Sequence, residues 1–199
     1  MQEHQFNTMA DLNLLHNNEG LHRLISFLKS KGERRILKRR EFFVRQGDSH
    51  AEIAYILRGS FKLFTSDYRG KEQILSFSFD HEFVACYLPP RYGCKALLSV
   101  QAMEESVLLV APLQEVLSQI QIEQDGTVFV SDFIECLAFD LLRKNVSFRC
   151  EAPEERYRQL IVRIPDILNR VSMKDIASYI GVTPETLSRM RSRMVLEEK

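Results

Sequence analysis

Residues 172–193, SMKDIASYIGVTPETLSRMRSR, leave their backbone little freedom. Ser172 followed by Asp175 has the form of a capping box with Asp in place of the usual Glu. The Ser oxygen accepts an amide three residues on and the carboxylate reaches back, so a helix is predicted to begin at Met173. Gly181 can adopt positive φ, and Thr183–Pro184 supply an N-cap and a first helical residue whose missing N–H costs nothing there. Helix, tight turn, helix is therefore encoded locally.

At 100° per residue, Leu187, Met190 and Met194 fall on one side of the second helix, with Glu185, Ser188, Arg189 and Ser192 opposite. Ile176, Ala177, Ile180 and Val182 give the first helix and turn a matching apolar face, and Ala177 allows the close crossing. An outward helix in any bundle also carries Glu, Ser and Arg on its exposed side. Here the positions 176, 177, 180, 181, 182, 187 and 190 agree together with a helix-turn-helix, whose second helix enters a major groove. Arg189, Arg191 and Arg193 are then available to base edges or phosphates.

Upstream, Leu21, Leu24, Ile25 and Leu28 recur at helical spacing and Gly32 stands at a stop position, predicting a helix over 19–31. From Arg35 to about Pro112 the pattern changes to Val-, Ile-, Phe- and Tyr-rich runs punctuated by Gly47, Gly59, Gly70 and Gly93. The strand candidates are RRILKRREFFV, IAYILRGSFKLFTSD, KEQILSFSF and ESVLLVAP. With D-S-H and D-Y-R-G-K as turns, these favour an antiparallel barrel or jelly roll over alternating βαβ units. Val128, Phe129, Phe133, Ile134, Leu137, Leu141 and Leu142 then recur near helical spacing on a long helix ending near Phe148. Its apolar circumference calls for a partner helix from a second subunit. A break at Cys150–Pro153 leads into the C-terminal helices.

Acidic and basic residues balance at 27 each, so nucleic-acid binding has to rest on a local basic patch. No apolar run approaches the ~20 residues that span a bilayer, and the N-terminus lacks the form of a signal peptide, so a cytoplasmic protein is expected. Cys86, Cys94, Cys136 and Cys150 form no C-x-x-C pair and sit among apolar or aromatic neighbours, which predicts packed, reduced thiols. His16, His22, His50 and His81 have no metal-site spacing and are read as surface residues, so no metal is expected.

In this order, YILRGS (55–60), GKEQILSF (70–77), HEFVA (81–85) and GVTPETLSR (181–189) make the chain resemble the Crp/Fnr superfamily of bacterial transcription regulators. The resemblance covers about residues 20–195. It implies an α+β fold with an N-terminal antiparallel β roll, a long dimerisation helix and a C-terminal helix-turn-helix domain. The expected division is 1–120 for the cyclic-nucleotide-binding-like roll with its N-terminal helix, 121–150 for the dimerisation helix and 151–199 for the DNA-binding domain. The family reads bases through positions matching Glu185, Ser188 and Arg189. A carboxylate can accept from cytosine N4, and Arg can pair with guanine O6 and N7. Lys174, Thr183, Thr186, Arg191 and Arg193 are the expected phosphate contacts.

The effector cassette departs from the family. Cyclic-AMP-binding relatives place a Gly-Glu pair after a Phe-apolar dipeptide and an Arg-Ser pair ten residues beyond. This chain has Ala85–Cys86 and Ala96–Leu97 there, with YLPPRYGCK between. A buried phosphate needs a cation or converging donors. Arg91 and Lys95 are near but out of place, so the pocket (Phe83, Ala85, Cys86, Arg91, Lys95, Ala96, Leu97) is not expected to take cyclic AMP; another effector, or none, fits better. No cofactor is expected, and an N-terminal iron–sulfur group is not, because residues 1–30 contain no Cys. The family's β-hairpin wing after the recognition helix is also not expected, since the sequence ends at MVLEEK.

The expected function is therefore a sequence-specific DNA-binding regulator, not an enzyme. Its expected partners are double-stranded DNA, a second copy through residues about 121–148, and RNA polymerase, with no membrane. The competing reading is an effector- or partner-binding module whose helix-turn-helix no longer binds DNA. A cysteine-dependent enzyme built on Cys86, Cys94 and His81 lacks an assignable base and oxyanion donors.

Overall fold

The computed structural model describes residues 19–49, 51–85, 95–122, 138–139 and 141–197. Helix α1 (Glu19–Lys31) leads into eight strands: β1 (Glu33–Leu37), β2 (Phe42–Val44), β3 (Glu52–Arg58), β4 (Phe61–Ser66), β5 (Glu72–Ser78), β6 (Phe83–Ala85), β7 (Ser99–Ala102) and β8 (Ser106–Pro112). They form two four-stranded sheets, ordered β1-β8-β3-β6 and β2-β7-β4-β5. All the pairings are antiparallel. The inward faces meet in one core that includes Ile56, Phe61, Leu63, Val84, Val100 and Leu108. This is the roll expected from the alternating apolar runs.

The run RRILKRREFFV is two strands, in different sheets. Lys38–Glu41 turns between them, with Arg40 at φ 72°. Two bonds with Ala102 tie this turn to β7: the Arg40 amide donates to the Ala102 carbonyl (2.8 Å) and the Ala102 amide to the Glu41 carbonyl (2.9 Å). The short β6 and the small, polar β7 (SVQA) lack the long apolar run that marks a strand in sequence, and only neighbouring strands define them. At the hairpin between β3 and β4, Gly59 takes φ 124°, and a Cβ there would come within 2.1 Å of Ser106 Oγ. Glycine is required at that turn.

After β8, helix α2 (Leu113–Ile122) packs beside α1, with Val116 joining Leu24 and Leu28 in a cluster on the outer face of the first sheet. Most of the long helix expected at 121–148 lies outside the described residues; its last part is helical at 141–150 and is called α3. Phe139, Leu142 and Val146, one stripe of that segment, are each about half exposed or more. Cys150, at its end, is exposed, which corrects the expectation of a packed thiol. The helix turns Ser147, not the sulfur, into the protein, while Cys86, Cys94 and Cys136 lie outside the described residues.

Helices α4 (Pro153–Arg163), α5 (Ile167–Arg170), α6 (Met173–Ile180) and α7 (Pro184–Glu197) complete the chain. Their core of Tyr157, Leu160, Ile167, Ile176, Ile180, Leu187 and Met190 is continuous with Phe64, Ile74, Phe77 and Phe79 of the second sheet and the turn after it. The helical unit is therefore seated on the roll. No helix among the described residues is long and apolar enough to cross a membrane.

Candidate nucleic-acid interface

The α6–turn–α7 unit follows its local code closely. Ser172 Oγ accepts the Asp175 amide at 3.1 Å and caps α6. The reciprocal half of the capping box is not formed; the Asp175 carboxylate lies 3.9 Å from Lys62 Nζ instead, because β4 brings a cation to it. Gly181 ends α6 in the left-handed region at φ 80°, and its amide returns to α6 carbonyls. Thr183 Oγ1 then accepts the Thr186 amide at 3.2 Å, and α7 starts at Pro184.

Leu187 and Met190 are buried to 0% and 1% exposure, while Glu185, Ser188, Arg189 and Ser192 are all exposed. The buried pair fixes the rotation of α7 about its axis, and that rotation turns the polar face outward. The Glu185 carboxyl is held below its ordinary value, first by its own backbone amide at the helix start and then by the Thr183 hydroxyl and Arg189. It stays an anion and an acceptor at neutral pH. Four residues on, Arg189 offers paired donors from the same face.

The other expected contacts are placed differently from one another. Lys174, Thr183 and Thr186 are exposed around the start of α6 and the turn. Arg191 is half-buried, with Nη1 3.2 Å from Met173 Sδ. Arg193 Nη2 donates to Glu154 Oε1 of α4 at 2.8 Å.

Two arginines that sequence reasoning passed over hold this unit in place. Arg170, at the end of α5, donates through Nη2 to Asp80 Oδ2 (2.8 Å), Glu104 Oε1 (3.1 Å) and the Gly59 carbonyl (3.1 Å), with its guanidinium over the Phe79 ring. Burial disfavours the Asp80 charge, but the Gly59 amide and Arg170 outweigh it and hold the carboxyl below its usual value. Arg156 donates to the Ile180 carbonyl from Nε (3.0 Å) and Nη2 (2.9 Å) and to the Ser147 and Glu151 carbonyls from Nη1. It thereby joins the end of α3 to the turn of the helix-turn-helix. Nothing in local periodicity marks either residue, because both act on carbonyls and carboxylates far along the chain.

The expected effector residues do not form a phosphate cradle among the described residues. Phe83 and Ala85 pack in the outer cluster with Tyr55, Ala96 belongs to the roll's inner core, and Leu97 and Lys95 are exposed. Cys86 and Arg91 lie outside the described residues. No group of metal-ligating side chains is present among the described residues, and His22 and His81 are both exposed.

Residues 34–123 match the family model described as a cyclic nucleotide-binding domain. FixK2 from Bradyrhizobium japonicum superposes with a TM-score of 0.71 at 13% identity, over 84% of this chain and 86% of that one. A transcriptional regulator of the Crp/Fnr family from Eubacterium rectale superposes at 0.60 and 13% identity, over 88% and 83%. Residues 34–123 are thus similar to a cyclic nucleotide-binding domain, and the chain shares the fold of these two structures. The same Crp/Fnr fold is found in CLP, a c-di-GMP-responsive global regulator of Xanthomonas campestris, with a TM-score of 0.62 at 19% identity over 89% of this chain and 93% of that chain. No curated protein sequence matches the chain. At these identities the likeness describes the architecture, and function has to be argued from the side chains.

Proposed function

We propose that the protein is a homodimeric, sequence-specific DNA-binding transcription regulator. The observation that carries this reading is the face of α7: Leu187 and Met190 are fully packed, and Glu185, Ser188 and Arg189 stand together in solvent. An acceptor and a two-pronged donor one helical turn apart suit adjacent base edges in a major groove. Glu185, Ser188 and Arg189 are assigned to base reading, with Lys174, Thr183 and Thr186 on the phosphates. Arg191 and Arg193 reach phosphate by leaving Met173 and Glu154.

Residues 151–199 supply the DNA-binding unit, and residues about 121–148 the contact between copies, supported by the exposed Phe139, Leu142 and Val146 stripe. The roll serves as scaffold or effector sensor, and the absence of a cation at Ala96–Leu97 argues against cyclic AMP as the ligand. The regulators that share the fold support a regulator rather than an enzyme, working in the cytoplasm beside RNA polymerase.

Selection from a randomised duplex library with purified protein tests the reading. The expected result is enrichment of two related half-sites in dyad symmetry, centred about one helical turn or ~34 Å apart. No enrichment, or enrichment without symmetry, overturns the dimeric DNA-binding assignment.

A further inference from the structure

Between α3, α4 and the last turn of α6 lies a cavity of about 40 Å³, lined by Arg143 and Lys144 from α3, by Arg156, Gln159 and Arg163 from α4, and by Tyr179 from α6. At i, i+3 and i+7, the three α4 residues fall on one face of that helix. Each of the six is half-buried. Four of them are cations, and no carboxylate lines the cavity among the described residues. Like charges drawn together and partly out of water repel one another, so this wall favours an anion between them.

Arg163 sets the cluster apart from a group of structural arginines. Arg156 directs its donors to the backbone carbonyls of Ser147, Glu151 and Ile180, which accounts for its place. Arg163 makes one long bond, from Nη2 to the Phe77 carbonyl at 3.3 Å, while its Nε and Nη1 are buried without an acceptor. Glu82 feels the Arg163 charge but forms no ion pair with it, and one of its oxygens accepts the Phe79 amide at 3.0 Å. Guanidinium donors buried without an acceptor are costly, and an oxyanion supplies the acceptor in a strong, charge-assisted form. Water satisfies a donor but neutralises no charge; an anion does both.

Size narrows the class of anion. A single water needs ~10–15 Å³ by the same measure, so the cavity has room for a compact group and not for a nucleotide. A phosphate group carries close to two negative charges near neutral pH, and its oxygens accept from donors converging on several sides. The guanidinium of Arg163, the amide of Gln159 and the hydroxyl of Tyr179 come from two helices and suit that shape. Because the cavity is partly open to solvent, the phosphate can also carry a substituent outside it.

We infer that the junction of α3, α4 and α6 is a binding site for a phosphate group, free or as the end of a phosphomonoester, with the buried Arg163 N–H groups as its principal donors. The site stands in the helical unit, apart from the roll residues 83–97 that match the cyclic-nucleotide cassette, and it does not depend on the DNA-binding reading. One ligand there would join the helix assigned to assembly to the first helix of the helix-turn-helix.

Calorimetry and phosphorus NMR line broadening on the full-length protein, at constant ionic strength made up with chloride, test this with inorganic phosphate and with glycerol 3-phosphate. One saturable site per chain is expected. Arg163→Lys keeps a cation facing Glu82 but removes the fork, and should weaken phosphate binding about tenfold or more. Lys144→Gln suits the helix, should weaken it severalfold, and carries the test if dichroism shows Arg163→Lys unfolded. Arg34→Ala, at an exposed position of β1, should bind as wild type does. Tighter binding of glycerol 3-phosphate supports an ester as the ligand, and equal or weaker binding supports free phosphate. The proposal is overturned by the absence of a saturable site for either probe, by unchanged binding in the folded variants, or by an equal loss in Arg34→Ala. Displacement of phosphate by duplex DNA also overturns it, since the basic wall would then belong to a DNA surface.

Discussion

Arg189 is exposed, four residues from an ionised carboxylate, on a helix whose rotation two buried side chains fix. If it reads a guanine, Arg189→Ala should weaken binding by about 1–3 kcal/mol and relax preference at one base pair per half-site. Competition across single-base variants of the selected site checks this, and uniform weakening on every sequence contradicts base reading. Asp80 provides a different test at the same scale. Its carboxyl is held below the ordinary value in the folded protein, so it contributes stability above its unfolded pKa of about 3.9, and that contribution is lost as pH falls through the lower folded value. Asp80→Asn should cost about 1 kcal/mol at neutral pH, the pair being partly solvent-screened. It should also flatten the decline of stability below about pH 4. Urea titrations at pH 7 and pH 3.5 separate the two effects.

The helices of the C-terminal unit were legible residue by residue because capping, turn and amphipathic signals are local: Ser172, Gly181 and Pro184 occupy the roles their chemistry suggests. Gly181 is the most demanding of these. Besides its positive φ, a Cβ there would stand 3.0 Å from Phe148 Cε1 of α3. Gly181→Ala should cost at least about 1 kcal/mol and be visible as a lowered Tm, with DNA affinity falling alongside because α7 is re-aimed. The roll was legible as a class but not strand by strand. Phe83–Ala85 and Ser99–Ala102 carry no alternation of their own, and Lys38–Glu41 breaks a basic, apolar run through hydrogen bonds to β7 that no neighbouring residue announces. For the same reason Arg40, Arg156 and Arg170 could not be singled out: their partners are supplied by topology.

At the scale of the molecule, the seat of the helical unit on the roll is the governing feature. Ile74 of β5 donates its amide to Ser178 Oγ of α6 at 3.0 Å, Ser178 in turn donates to the Glu72 carbonyl, and Phe77 lies 5.4 Å from the Tyr179 ring. With the core shared between Phe77, Phe79, Ile176 and Ile180, roll and helix-turn-helix should melt in one transition. Calorimetry with coincident near- and far-ultraviolet dichroism tests this, and two resolved transitions would contradict it. If the exposed stripe of Phe139, Leu142 and Val146 makes the proposed contact between copies, Leu142→Asp/Val146→Asp should give monomers in sedimentation and lose affinity for paired half-sites while keeping the fold. The shared core also bears on heredity. A recombination event that exchanged the C-terminal helices at residue 150 would part Ser178 and Tyr179 from the β5 residues they rest on. If α7 is the reader, a productive crossover must carry the β5 strand with it, and specificity is expected to change by point substitution on α7 and not by shuffling of whole modules.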